Sequence, residues 1–179
     1  MALRSTVYKA DLNIADNDRG YYASHALTVA RHPSETDERL MVRLLAFALL
    51  ADDTETLAFT RGLSEADEPD LWRQDLTGAI IQWAETGLPD ERRLLKACGR
   101  ADDVVVFAYG RNAAVWWQGV QGKLGRARKL QVFMLDVDGT QALMALAARK
   151  MVLNINVQDN TIWVSSEAGE ASVTLTRLK

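Results

Sequence analysis

Alternation of apolar and polar positions opens the chain. Residues 5 to 14 (STVYKADLNI) and 24 to 31 (SHALTVAR) mix β-branched and aromatic residues with polar ones, and the polar stretch ADNDRGYY joins them into a predicted long hairpin. The period then changes. His32-Pro33 ends the second strand, Ser34 with Asp37 three positions later resembles a capping box, and a helix is predicted through about Ala51. Its apolar stripe is built on Met41, Leu44, Leu45 and Ala48. A short strand around 57 to 61, the acidic turn LSEADEP and a tight hairpin about Thr77-Gly78 follow. LPDERRLLKACGR places Pro89 near a first helical position and acids in the first turn, which suits the positive end of a helix dipole. VVVFAYG, at 104 to 110, is continuously apolar and reads as a buried strand. The remainder reads as a helix over 111 to 124, the strand LQVFML, a helix near 140 to 149, strands either side of Asp159-Asn160, and a last strand SVTLTRL.

Helix, three strands, helix, strand is therefore the order across residues 34 to 110. It predicts an α/β domain whose sheet mixes parallel and antiparallel pairs, with additional strands from both termini. No repeat, low-complexity segment or Pro/Gly/Ser-rich linker divides the 179 residues, so residues 1–179 read as one domain.

Composition narrows the chemistry. The chain is 48% hydrophobic and 25% charged, ordinary for a globular protein, and its longest aliphatic run, LLAFALLA, is too short to span a bilayer. With no apolar stretch of signal length at the start, a cytoplasmic protein is expected, without membrane association. Cys98 is the only cysteine, which excludes an intramolecular disulfide, and His25 and His32 are the only histidines, which argues against a conventional zinc site. Any metal is expected to be held mainly by oxygen. The net charge of -3 argues against coating nucleic acid by bulk electrostatics, although Lys123, Arg126, Arg128 and Lys129 form one dense basic segment after Trp116 and Trp117. No P-loop, dinucleotide fingerprint, GxSxG or HExxH sequence is present, so cofactor and nucleophile chemistry have no support.

The hairpin DEPDLWRQDLTGAIIQWAETG (67 to 87) carries the most pointed chemistry. With its turn centred between Thr77 and Gly78, Trp72 opposes Trp83 and Asp70 opposes Glu85. Opposed side chains have Cβ atoms roughly 5 Å apart, and two like charges there repel unless a cation lies between them.

The segments ARHPSETDER, FTRGL, DEPDLW and WAETGLPDERR, with the pair Trp116-Trp117, resemble the YaeQ family of bacterial proteins over essentially the whole chain. The resemblance implies a compact variant of the PD-(D/E)XK, restriction-endonuclease-like fold. It further implies that Pro69-Asp70 stands at the first acidic position of that motif and Glu85 at the second, with both as ligands for Mg²⁺ or Mn²⁺. Gly87 occupies the place of the motif lysine, so Arg92 and Lys96 on the following helix are the candidate replacements, and Glu35 or Glu38 on the first helix would complete the site. The implied function is a Mg²⁺-dependent nuclease or nuclease-like phosphodiesterase. The alternative is a catalytically inactive nuclease-fold protein that binds nucleic acid or protein in transcription or repair.

Each residue also has a simpler reading. Asp70 suits a solvated turn, Glu85 an ion pair with Arg92 or Arg93, Glu35 a first-turn dipole partner, and Lys96 a solvated helix face. Trp72 and Trp83 suit core packing or base stacking, and Cys98 a small buried hydrophobe.

Overall fold

The opening hairpin is longer than its pattern suggests: in a computed structural model describing residues 4–179, β1 (Thr6–Asp16) and β2 (Tyr21–Arg31) pair antiparallel from Thr6 opposite Arg31 to Asp16 opposite Tyr21. Only residues 17 to 20 make the turn. Asp16 is buried there because Arg19 folds back on it, Nε to Oδ2 at 2.6 Å. The same guanidinium donates to the carbonyls of Ala51 (2.7 Å) and Ala48 (2.9 Å), capping the end of the first helix, α1 (Asp37–Leu50).

The helix begins at a different cap from the one expected. Thr36 is the N-cap, its hydroxyl accepting from the Arg39 N–H at 3.1 Å, whereas Ser34 engages His32 Nδ1 at 2.7 Å. Glu35 consequently lies before the helix rather than in its first turn. Residues 40 to 48 are buried without interruption, not along one stripe, because LMVRLLAFA is apolar nearly all round and the sheet wraps it.

The wrapping sheet also includes β3 (Leu57–Phe59), β4 (Leu71–Gln74), β5 (Ile80–Thr86), β6 (Ala101–Ala108), β7 (Leu130–Leu135), β8 (Lys150–Gln158), β9 (Thr161–Ser166) and β10 (Gly169–Arg177). The order β2-β1-β8-β9-β10-β7-β6-β5-β4-β3 makes one mixed sheet of ten strands, curled nearly into a barrel around α1 in a single compact α/β domain. The pairs β5–β6, β6–β7 and β1–β8 are parallel. Two further helices, α2 (Glu91–Arg100) and α3 (Ala113–Leu124), cover the outer face of β5 to β7, where Trp83, Leu94, Val104, Val106, Leu124 and Val132 form a second core. Buried on both faces, β6 takes its continuous apolar run from that position.

The last helix, α4 (Val137–Met144), starts and stops earlier than the 140 to 149 expected. Asp136 caps it through the Gly139 N–H (2.9 Å) and also accepts from the Thr174 N–H of β10 (2.6 Å). A Cβ on Gly139 would lie 2.7 Å from the Ser172 carbonyl oxygen, so glycine permits this close approach of helix and strand. Asp159 and Asn160 turn β8 into β9 with φ of 53° and 58°, and the Asp18 carboxylate accepts both of their N–H groups. Among the described residues no helix is long and apolar enough to cross a membrane.

Because the cap of α1 is Thr36, Thr36→Ala is expected to cost about 1 kcal/mol in urea unfolding while Ser34→Ala stays within about 0.5 kcal/mol. The reverse ranking would place the cap at Ser34.

Candidate functional site

Around the β4–β5 hairpin the expected register holds over its central pairs: Leu71 faces Ala84, Trp72 faces Trp83 and Arg73 faces Gln82. A shift between Arg73 and Gln74 follows, and Asp75 organises the turn by accepting from the N–H groups of Thr77 (2.8 Å) and Ala79 (3.0 Å). Asp70 precedes β4 and breaks the alternation, since its N–H donates to the Ala84 carbonyl at 3.1 Å, one step out of that register.

The irregularity re-aims the side chain. Asp70 Oδ2 accepts from the N–H (2.7 Å) and hydroxyl (2.8 Å) of Thr86, and Oδ1 accepts from Arg39 Nη2 on α1. Thr86 pairs with Phe107, whose side chain belongs to the inner core around α1, so the Asp70 carboxylate serves the inner face. Arg39 continues to Glu35, Nη1 to Oε1 at 2.9 Å. Arg43 then closes on the same carboxylate with Nε at 2.6 Å and Nη2 at 2.8 Å, and donates to the Ala30 carbonyl at 3.0 Å. Glu35, Asp70 and Arg43 are each 5% exposed or less, so this is an interior chain of two carboxylates and two guanidiniums rather than a solvated turn. Burial opposes the charge on Arg39, but Asp70 and Glu35 outweigh it and raise its pKa further. Beside them, burial pushes the Tyr109 phenol up to about 12, keeping it neutral.

Glu85 serves the other face. It pairs with Val106 of the outer core, and its Oε1 accepts from the Trp83 indole (2.8 Å) and from Arg93 Nε (2.7 Å) on α2. Arg93 also donates to the carbonyls of Ala66 (2.6 Å) and Glu68 (2.7 Å), tying down the acidic loop before Asp70. The guanidiniums of Arg93 and Arg100 lie 6.0 Å and 5.0 Å from the Trp83 ring centre. Packing is the role of this Trp83, which is 3% exposed.

The remaining candidates lie elsewhere. Lys96 reaches an exposed Asp67 at 2.7 Å, not the Asp70 and Glu85 carboxylates. Arg92 is exposed on a shallow hollow shared with Asp67 and Lys96. Glu38 accepts from the Thr140 hydroxyl at 2.9 Å and ties α1 to α4. Cys98 is half-buried rather than fully so. Sequence reasoning missed Arg39 and Arg43 as the partners of the acids. The signal for Arg43 was a charged residue inside an otherwise apolar run, and both arginines lie on the spacing of four and eight positions after Glu35.

A divalent hard cation requires several carboxylate or carbonyl oxygens converging with lone pairs to spare. Asp70 and Glu85 turn to different faces and each already accepts from an arginine, and among the described residues no three acidic, histidine or cysteine side chains converge. The residues present do not fit a Mg²⁺ centre.

A near-barrel sheet threaded by a buried helix, with its acids neutralised by arginines from the neighbouring helices, defines the class of this α/β protein. The chain belongs to the YaeQ family, whose model, described as YaeQ protein, matches residues 1–175. It is 48% identical to a YaeQ protein of Salmonella typhi and 46% identical to one of Escherichia coli strain K12, each alignment spanning 98% of this chain and 97% of the relative. The crystal structure of the YaeQ protein from Xanthomonas axonopodis pv. citri superposes with a TM-score of 0.94 at 50% identity, covering 98% of both chains. The Pseudomonas syringae YaeQ structure gives 0.92 at 37% identity, over 98% of this chain and 96% of that one.

Burial, and then the negative charge of Asp70, raise the Glu85 pKa above its ordinary 4.5, with Arg93 and the Trp83 indole pulling it back. The folded protein therefore holds this proton more tightly than the unfolded chain. The resulting stabilisation is complete below the unfolded-state value and is lost as pH rises through the higher folded-state value. In urea unfolding from about pH 4 to about pH 7, Glu85→Gln is expected to lack this loss, and a pH slope identical to that of the parent would contradict the assignment.

Proposed function

We propose that this protein is a non-catalytic member of the PD-(D/E)XK nuclease-like fold that binds nucleic acid in the bacterial cytoplasm. One observation carries the reading: the two acids at the motif positions are closed off by Arg39 and Arg93, on opposite faces of the sheet. Seating a cation at Asp70 would require Arg39 to withdraw, leaving two buried carboxylates without one of their partners, at a cost of several kcal/mol. The motif lysine is replaced by Gly87, and Lys96 pairs at the surface with Asp67. The order α1, β3, β4, β5, α2, β6, with antiparallel β3–β4–β5 and parallel β5–β6, supports descent from that fold.

The charge distribution supports the ligand. Residues 91 to 129 contain nine basic and three acidic side chains in a chain of net charge -3. They include the exposed Arg92, Arg111, Arg126 and Arg128. Lys123 at the end of α3 bridges to Glu91 of α2 (3.0 Å), and Lys129 donates to the Ala101 carbonyl at the start of β6 (3.1 Å), which ties both ends of the basic segment to their neighbours. Such a local patch attracts phosphates even on an acidic protein.

Fluorescence anisotropy with labelled single- and double-stranded DNA and RNA, in EDTA and in Mn²⁺, tests this reading. Binding is expected without metal, weakening as salt rises, and Arg126→Glu with Arg128→Glu should weaken it about tenfold or more. Failure to bind any of these polymers would contradict nucleic acid as the ligand. Mn²⁺-dependent cleavage that disappears in Asp70→Asn would contradict the non-catalytic assignment.

A further inference from the structure

On the outer face of β2, β1, β8, β9 and β10, far from the acids in the fold, lies an open cleft of about 1020 Å³. Strand register lays out its floor. Tyr22 faces Ala15, Ala15 faces Asn156, and Asn156 faces Trp163, so one row crosses four strands with an aromatic ring at each end and small or amide side chains between. Three strand spacings separate the aromatics by about 14 Å. Neither ring is covered: Tyr22 is 63% and Trp163 48% exposed. The neighbouring row runs from Asn13 through Asn154 and Ser165 to Glu170.

Two hydrogen-bond chains orient the amides between the rings. The Ser24 hydroxyl donates to Asn13 Oδ1 (2.9 Å), and Asn13 Nδ2 donates to Asn154 Oδ1 (3.0 Å). In parallel, the Tyr22 hydroxyl donates to Asn17 Oδ1 (2.7 Å), and Asn17 Nδ2 donates to Asn156 Oδ1 (3.3 Å). Both chains run the same way and end on β8, so each terminal asparagine has its oxygen occupied and its amide NH₂ directed onward with donors to spare. Asn154 and Asn156, two positions apart on one strand, thus present a pair of fixed donors about 7 Å apart. Glu170 supplies a carboxylate acceptor and, among the described residues lining the cleft, its only charge.

We propose that this cleft is a binding site for a neutral oligosaccharide. A sugar ring offers an apolar C–H face that stacks on an exposed aromatic and a rim of hydroxyls that accept from amides and donate to a carboxylate. The two aromatics, set a short oligosaccharide's length apart, are suited to terminal rings, and the asparagine donors to the hydroxyls between them. A phosphate-bearing ligand is disfavoured because, among the described residues, no lysine or arginine lines the cleft and its single charge is negative. The site is independent of the basic α2–α3 side.

The test uses the full chain labelled with ¹⁵N, titrated with malto-, cello- and N-acetylated chito-tetraose. Binding by at least one is expected to shift the Trp163 indole and the Asn154 and Asn156 side-chain amide signals, saturably. Trp163→Ala, at an exposed position that leaves the core intact, should weaken that binding about tenfold or more. Asn156→Asp, which exchanges the free donors for an acceptor, should weaken it while leaving the unfolding midpoint unchanged. No shift with any of the three sugars would overturn the proposal. Shifts of these signals by a single-stranded oligonucleotide but not by sugar would assign the cleft to nucleic acid instead. Concentration-dependent shifts without ligand, matched by dimer formation in sedimentation, would assign it to a second copy of the chain.

Discussion

Arg39 and Arg43 hold the structure's one unavoidable tension: two guanidiniums, one turn apart, on a helix that the sheet encloses on nearly every side. Arg43 is buried and the Arg39 side chain is only 17% exposed, so both charges are largely withdrawn from water and are matched by carboxylates. Glu35 and Asp70 supply the match, and the consequences spread through the hairpin and helix. Glu35 also accepts from the His32 N–H (3.3 Å), which fixes the corner between β2 and α1, while Arg43 holds the Ala30 carbonyl. Asp70 carries the same chain to the end of β5 through Thr86. The entry of α1, the last residues of β2 and the start of β4 are thereby locked to one another by a single polar network.

That constraint explains which parts of the chain were legible from its pattern. Elements with one dominant signal were readable: the alternation of β1 and β8, the continuous run of β6, and the Asp159-Asn160 turn that tolerates positive φ. The Trp72–Trp83 pairing followed from turn length alone. Boundaries failed where a side chain acts at long range. Arg19 sits in a turn by sequence but caps a helix 29 residues away, and Asp136 starts α4 early while also bonding β10. The curling of the sheet around α1 was not readable from local periodicity, since closure depends on β1 pairing with β8 and β10 with β7.

Of the partners of the two hairpin acids, Arg93 for Glu85 was among the readings of the sequence, whereas Arg39 for Asp70 was not. Two carboxylates opposed across a hairpin permit a shared cation or separate counter-ions, and register cannot distinguish these because the choice rests on what the flanking helices contribute. Here each helix contributes an arginine, α1 to Asp70 and α2 to Glu85, and the out-of-register bond from the Asp70 N–H to the Ala84 carbonyl accompanies the turning apart of the two carboxylates. Glu85 and Arg93 then do for the outer core what the interior network does for the inner one, fixing the acidic loop against α2 beside the Trp83 ring. The surfaces left for recognition are the basic α2–α3 side, which adjoins the Glu85–Arg93 pair, and the outer face of the terminal strands.

A double-mutant cycle between Arg39 and Asp70, with Arg39→Met, Asp70→Asn and the double variant unfolded in urea with EDTA present, tests the structural assignment of the acids most directly. Side chains in one buried charged network should couple by about 2 kcal/mol, the double variant being less destabilised than the sum of the singles. Additive effects within about 0.5 kcal/mol would contradict it, showing that Asp70 is not held in place by Arg39.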